Sequence, residues 1–460
     1  MSVSLREENK MAVRPVFPLL MSMAIPPMIS MLIQSLYNIV DSYFVAQVSQ
    51  NALTAVSLAF PIQNLLVAFG VGTGVGVSSL ISRRLGERDQ EAADNAATHG
   101  IILSAITYVV FAIFGAIVAR PFTALYTQDA EVLSMGTTYI TIVTVASFGF
   151  FFAAVIEKML QATGNMVMPM VIQLVGAVAN IIFDPILIFN FNMGVAGAAI
   201  ATVVSQLGSG VLCVWYMRKH FEVLRMEKDD WRLRKTEVLR LLGMGVPVGL
   251  QFSITAIGSV MLQSAVNSLG AVCVSGVAVA SKIYMLLCCP FDALAMAATN
   301  FTGQNLGAGK YDRIRQGTYA CLLLGIIYCA IYIVIARFGT QYLVLLFMNA
   351  DEAQSVLDYT QRISYAYAYG TPLLLGVNVF RLSIQGMGYS RLSLISGLLE
   401  MIARTAVGIW GVPQFGFAAA CLASPLAWAL ADCFLIPAYY GCLNARRRQA
   451  ARVRKELPTE

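Results

Sequence analysis

Twelve apolar stretches, each long enough to cross a bilayer as a helix, leave this chain of 460 residues little freedom. A helical crossing takes about 20 predominantly apolar residues. The stretches lie at 16–47, 53–81, 96–118, 135–160, 166–190 and 194–217, then at 237–267, 271–301, 316–337, 357–385, 390–411 and 416–442. Backbone N–H and C=O groups find no water in lipid, so each stretch has to be helical. At 58% hydrophobic and 12% charged, the chain has too little polar surface for a soluble enzyme, a disordered chain or a nucleic-acid-binding domain. The expected class is an all-α integral membrane protein with twelve transmembrane helices, a lipid bilayer as its surroundings and no nucleic acid partner.

Lysine and arginine set the orientation, because positive loops stay cytoplasmic. The loops and adjoining helix ends on the N-terminal side hold 25 of the 31 Lys and Arg residues, whereas the opposite loops hold Arg120 and Arg337. Both termini are therefore expected in the cytoplasm, with the chain in the cell's inner (plasma) membrane. The segment from Arg218 to Lys235, with Trp231 among its basic residues, is expected to lie on the anionic leaflet. The tail around Arg446, Arg447 and Arg448 is expected to act as a second anchor. All nine cysteines sit within or beside apolar runs, and neither His99 nor His220 stands at a ligand spacing to them. They read as small hydrophobes. Gly70, Gly72, Gly74 and Gly76 mimic a phosphate loop, but inside an apolar span small residues serve close helix packing.

The chain also repeats itself. A shift of 221 residues brings Met23 onto Met244, Pro26 onto Pro247 and Leu85-Gly86 onto Leu306-Gly307. A shift of 224 brings Gln161 onto Gln385 and Gly164 onto Gly388. Six crossings per copy is an even number, so both copies enter the membrane the same way, as two parallel six-helix repeats. That is a transporter architecture, with the route between the halves. The expected organisation is an N-terminal lobe at 1–217, a cytoplasmic linker at 218–236, a C-terminal lobe at 237–445 and a basic tail at 446–460.

Ionisable groups are costly in lipid, so those inside spans mark candidate sites. In span one, Gln34, Tyr37, Asn38 and Asp41 recur at i, i+3, i+4 and i+7, one face of a helix. Asn180 and Asp184 are one turn apart in span five, and Thr202 lies in span six with Ser205 and Gln206 a turn further. In span four, Tyr139 and Glu157 are 18 residues apart, about five turns, so they are expected to share a face as well. At about 1.5 Å per residue, Asp41 and Asp184 each fall ~9 Å from the outer ends of their spans and Thr202 ~12 Å from its own. Two carboxylates, an amide oxygen and a hydroxyl at one depth suit a hard cation or a shared proton. Pro185 frees the carbonyl of Ile181, and Pro26 with Pro27 weakens span one below Asp41, which makes Pro26 and Pro185 hinge candidates. The repeat sets Leu262 opposite Asp41 and Gly408 opposite Asp184. The second half instead holds Lys282, Asp292, Arg381, Glu400, Arg404 and Asp432, with Glu400 and Arg404 placed to pair at i, i+4. An intramembrane aspartyl protease would need Tyr-Asp and Gly-x-Gly-Asp settings. The chain has Val-Asp-Ser and Phe-Asp-Pro, so no enzyme is expected.

Four segments together resemble the multidrug and toxic compound extrusion (MATE) family over nearly the full length. They are Gln34-Ser-Leu-Tyr-Asn-Ile-Val-Asp41, Arg83-Arg-Leu-Gly-Glu-Arg-Asp89, Asn180-Ile-Ile-Phe-Asp-Pro-Ile-Leu-Ile188 and Met193-Gly-Val-Ala-Gly-Ala-Ala199. The DinF-type and MepA-like bacterial branch is the most similar. The resemblance implies two six-helix lobes forming a V, alternating access, and export of amphipathic, often cationic drug-like molecules by antiport with H⁺ or Na⁺. No cofactor is implied beyond that ion, and a monomer is expected. Members with a first-lobe cation site use an Asp of span one, an Asn and an Asp of span five, and a Thr of span six. The matching positions are Asp41, Asn180, Asp184 and Thr202, which would be the metal ligands under Na⁺ coupling. Gln34, Tyr37, Asn38, Tyr139 and Glu157 would then line the substrate cavity. This chain departs from some relatives in having Ala153 and Ala154 where they carry asparagines, and in adding Glu157. Thr255 stands in span seven, where another branch has a carboxylate. The alternative within transport is a flippase for a lipid-linked precursor, for which Arg381 and Arg404 are the available arginines.

Overall fold

A computed structural model describes residues 10–220, 224 and 228–456, and among them every regular element is a helix. The first six spans are Val16–Val48, Gln50–Glu87, Gln90–Tyr126, the pair Ala130–Val145 and Phe148–Ala162, Val167–Pro185 and Gly194–His220. The second six are Lys235–Asn267, Ala271–Gly307, Tyr311–Leu343, Ala350–Gly386, Ser390–Ala406 and Phe417–Glu456. Among the described residues, ten helices are long and apolar enough to cross a membrane, and the bent pair of span four adds an eleventh. Span ten, Ala350–Gly386, is a continuous helix of 37 residues but carries too many tyrosines, serines and charges to qualify on composition. Its buried face includes Thr360, Ser364, Thr371, Arg381 and Gln385. It is built to pack against protein more than against lipid.

The fourth span corrects one expectation. Tyr139 and Glu157 do not share a face of one straight helix, because the helix breaks after Val145 and bends by 45° before Phe148. Side chains satisfy the carbonyls that the break releases. Ser147 Oγ donates to Thr144 O at 2.7 Å, and Tyr108 Oη donates to Val145 O at 3.2 Å. Span five does not stop at Pro185. It widens into a π-helical turn over Ile186–Asn190, closed by Phe191 N–H to Ile186 O at 3.0 Å. The repeat has the same feature, since span eleven widens over Val407–Gly411. Ile409 stands there at the position of Pro185, so a proline is not required for the wide turn.

Other backbone details obey the repeat shifts. Arg88 (φ 60) and Gly309 (φ 69) end the second and eighth spans in the left-handed region. Gly164 (φ 92) pairs with Gly388 (φ 86). Gly194 (φ 53) and Gly416 (φ 58), which open the sixth and twelfth spans, are related by a shift of 222.

Packing divides the chain at points other than the 218–236 linker. One compact unit contains Ile29–Gly249, and the other contains the described part of Glu7–Met28 together with Leu250–Glu460. Span one therefore changes unit just after Pro26-Pro27, and span seven just after Pro247. In the second unit, the start of the chain is held by Asn305 Nδ2 to Met11 O at 3.2 Å, Lys310 Nζ to Ala12 O at 2.9 Å and Arg313 Nε to Met11 O at 3.2 Å. In the first unit, Gly72 and Gly76 meet Gly245 and Gly249 backbone to backbone, and a Cβ on Gly72 would lie 2.8 Å from Gly249 N. This is small-residue helix packing, not a phosphate loop.

Residues 221–223 and 225–227 of the linker lie outside the described residues; Lys228–Trp231 forms a 3₁₀ turn with Trp231 exposed. The tail with Arg446, Arg447 and Arg448 continues the last helix to Glu456. Seven cysteines are buried, Cys288 is half-buried and Cys433 is exposed.

Arg88 holds a conformation that costs a side-chain-bearing residue about 1 kcal/mol. Arg88→Gly is expected to raise thermal stability by that amount, and Gly309→Ala, which meets no neighbour within 4 Å, to lower it similarly. Thermal unfolding of the detergent-solubilised protein checks both signs.

Candidate functional site

Inside the first unit, spans one, two, four, five and six enclose a cavity of about 270 Å³. Helical periodicity aims one polar face of span one into it, so that Gln34, Tyr37, Asn38 and Asp41 all line the wall. Span five contributes Gln173, Gly176, Ala177 and Asn180, and span six contributes Thr202, Ser205, Gln206 and Ser209. Span four reaches the cavity twice, with Tyr139 before its bend and Glu157 after it. The bend thus supplies what a straight helix was expected to supply.

Asp41 and Asn180 line the cavity, and Asp184, which is not part of the lining, meets both of them. Asp41 and Asp184 come within hydrogen-bonding range of each other. Asn180, at 2% exposure, directs its Nδ2 to Asp184 Oδ1 at 3.4 Å. Asp184 has no exposed surface, and the wide turn over Ile186–Asn190 follows it after Pro185. Three buried oxygens are left without any hydrogen-bond partner among the described residues: Asp41 Oδ1, Asn180 Oδ1 and Asp184 Oδ2. Buried polar atoms are nearly always satisfied, and two carboxylates facing each other offer only acceptors. Acceptors alone cannot satisfy one another, so the arrangement calls for a proton or a cation between its oxygens. Thr202 lines the same cavity and donates its hydroxyl proton to Ala198 O at 3.0 Å, leaving its oxygen lone pairs available. The set offers oxygen ligands only, which fits a hard cation.

The remaining expected residues lie around this core. Tyr139, 2% exposed, accepts from Gln63 Nε2 at 3.0 Å. Tyr37 lines the cavity one helical turn from Gln34. Glu157 is in the cavity but belongs to another group: it accepts from Gln173 Nε2 at 2.8 Å, with Lys158 alongside. Pro26 lies outside the lining, near the point where span one changes unit, and Pro185 directly follows Asp184. Sequence reasoning missed Ser30, Gln63, Asn64, Gln173 and Ser209. Their signal was present, as amides and hydroxyls inside apolar runs. Gln173 shares the face of Asn180 and Asp184 at i, i+7 and i+11.

In the second unit the expected Glu400–Arg404 pair forms at 3.2 Å, and Arg381 joins it from span ten. Asp292 accepts from Asn378 Nδ2 at 2.8 Å.

Against known proteins, the chain matches the MatE family model twice, over residues 26–186 and 247–410. The two matches cover the two repeats. It is similar to the probable multidrug resistance protein YoeA of Bacillus subtilis, 26% identical over 336 residues, covering 71% of this chain and 73% of that protein. It is also similar to the multidrug export protein MepA of Staphylococcus aureus, 23% identical over 393 residues, covering 84% and 85%. Among solved structures, an outward-facing multidrug resistance MATE transporter of the MOP superfamily superposes with a TM-score of 0.90 at 22% identity, covering 95% of this chain and 98% of that one.

Gln173→Leu would leave Glu157 buried without its donor. The expected cost is about 1–3 kcal/mol in thermal unfolding. Unchanged stability would show that the Gln173–Glu157 bond carries no weight.

Proposed function

The chain belongs to the MatE family of multi-pass membrane transporters, and we propose that it exports amphipathic, often cationic compounds by antiport with H⁺ or Na⁺. In this reading it works as a monomer in the inner membrane, with both termini cytoplasmic and two lobes that alternate access. The observation that carries the reading is the trio of buried oxygens on Asp41, Asn180 and Asp184 that have no partner among the described residues, two of them on residues lining a cavity of amides, hydroxyls and aromatic rings. The multidrug export named for MepA and the probable multidrug resistance named for YoeA support the same reading.

The mechanism follows from charge. Two carboxylates in contact in a low-dielectric site need a proton or cation between them. A proton would be shared by the pair. A sodium ion would be held by Asp41, Asn180 and Asp184, with Thr202 completing the oxygen set. Filling the site neutralises it and favours bending of span one at Pro26-Pro27, which narrows the cavity. A bound drug then loses its contacts with Gln34, Tyr37, Asn38 and Tyr139 and leaves outward. The ion achieves this only by binding one conformation better than the other. At about 1.4 kcal/mol per tenfold, a preference of ~100-fold supplies ~2.7 kcal/mol. Glu157, with its own donor, serves as the cationic substrate's counter-charge in this scheme.

The test is export by purified protein in vesicles under an imposed proton or sodium gradient. Asp41→Asn and Asp184→Asn are each expected to abolish ion-driven efflux while inserting and folding as the wild type does. Wild-type coupled export by either variant would overturn the ion site.

A further inference from the structure

Spans nine and twelve meet near their basic ends, where Lys310 and Arg313 flank the start of one and Arg446, Arg447 and Arg448 lie near the end of the other. Two hydroxyl contacts join the helices there. Thr318 Oγ1 lies 2.8 Å from Tyr439 Oη on the buried side, and Tyr319 Oη lies 3.0 Å from Tyr440 Oη on the outer side. Arg315 extends the outer row. Its Nε donates to Tyr319 Oη at 3.1 Å, and its guanidinium carbon sits 5.4 Å from the centre of that ring. Arg315 and Tyr319 are exposed and Tyr440 is half-buried.

Arg315 reaches against two ordinary tendencies. Helical side chains lean toward the helix N-terminus, and a long cationic chain near the end of a span extends to water. Both would point Arg315 back past Tyr311 and out of the membrane. It turns one helical turn deeper instead, to a tyrosine about 12 Å along the span from Tyr311.

The row has donors to spare. A guanidinium carries five N–H donors and no acceptor. The one on Nε is taken by Tyr319, and those on Nη1 and Nη2 have no partner among the described residues. Tyr319 and Tyr440 share one hydroxyl proton, so whichever of them donates, the other phenol proton also lacks an acceptor. No carboxylate of the two helices supplies one. Span nine has Asp312 alone, which Arg447 Nη1 approaches at 3.7 Å. Span twelve has Asp432, buried against Gly376 of span ten, and Glu456 at its far end. Further into the membrane the same surface turns apolar. Leu323 and Ile326 follow Tyr319 at i+4 and i+7, Ile436 precedes Tyr440 at i−4, and all three are exposed.

We propose that Arg315, Tyr319 and Tyr440 bind the phosphate of an anionic membrane phospholipid whose acyl chains lie along Leu323, Ile326 and Ile436. A phosphodiester offers acceptors only and matches the open donors in charge, with Arg315 as its fork. Basic clefts between spans select lipids of this charge. The site lies in the second unit, apart from the acid pair, and does not rest on the export reading.

The experiment is a titration of delipidated full-length protein in detergent with phosphatidylglycerol, bound lipid being read by native mass spectrometry. Wild type is expected to bind phosphatidylglycerol about fivefold more tightly than phosphatidylcholine, whose headgroup carries no net charge. Arg315→Gln, and separately the double variant Tyr319→Phe with Tyr440→Phe, are each expected to weaken phosphatidylglycerol by about fivefold. Arg452→Gln removes the same charge about 18 Å further along span twelve than Tyr440, beyond the screening length, and is expected to leave the affinity unchanged. An equal loss in Arg452→Gln would show diffuse attraction to the basic tail and overturn the site. Unchanged binding in Arg315→Gln, or equal binding of the two lipids by wild type, would overturn it as well. Displacement of the bound lipid by inorganic phosphate would assign the donors to a free ion and overturn the lipid as their occupant. Arg315 is exposed, so its variant decides the matter should the double variant fail to fold.

Discussion

The contact between Asp41 and Asp184 is the constraint around which the first unit is organised. Two acceptor-only groups are pressed together with an amide oxygen, and among the described residues no donor reaches Asp41 Oδ1, Asn180 Oδ1 or Asp184 Oδ2. Such an arrangement persists only where the surrounding helices hold it in place. Span one holds Asp41 as the last member of a polar face. Span five holds Asp184 at its closing turn, where the chain widens over Ile186–Asn190 and Gly197 lets span six pack against Leu187. In the proposed mechanism the cost of the contact is relieved by an ion, and that relief supplies the free-energy difference between two conformations.

Span one is also where the two compact units exchange chain. Its outer part carries the acid pair in the first unit, while its beginning is pinned in the second by Asn305, Lys310 and Arg313. Pro26 and Pro27 lie just before the crossover. Span seven mirrors this at Pro247, and its inner part is fixed in the first unit through Gly245 and Gly249. A change of charge at Asp41 is therefore made on a helix whose two ends answer to different bodies. In a bistable structure, a local event becomes a large rearrangement at such an element.

Much of this was legible in the sequence because the bilayer imposes simple rules. Apolar length located the spans, and the spacing of Gln34, Tyr37, Asn38 and Asp41 located the face that lines the cavity. Helical rise at equal depth pointed to Asp41 and Asp184 meeting. What was not legible has physical reasons too. The bend in span four falls at Val145-Ala146-Ser147, which contains neither proline nor glycine, and tertiary hydrogen bonds from Tyr108 and Ser147 sustain it. The wide turn after Arg404 forms without a counterpart of Pro185. Gln63 and Gln173 acquire partners only through the fold, which sets them against Tyr139 and Glu157. The unit boundaries could not be read from the basic linker, because packing and chain connectivity part company at prolines inside helices.

If occupancy of the acid pair drives export, ion and drug must oppose each other's binding, and linkage makes that opposition reciprocal. The most direct measurement is a drug-binding isotherm for a cationic dye on solubilised wild-type protein, repeated across pH and across Na⁺ concentration. The account predicts that dye affinity falls as the coupling ion is added. Weakening by acid alone would identify the proton, and weakening by sodium at fixed pH would identify Na⁺. A dye affinity independent of both ions would contradict the competition on which the mechanism stands.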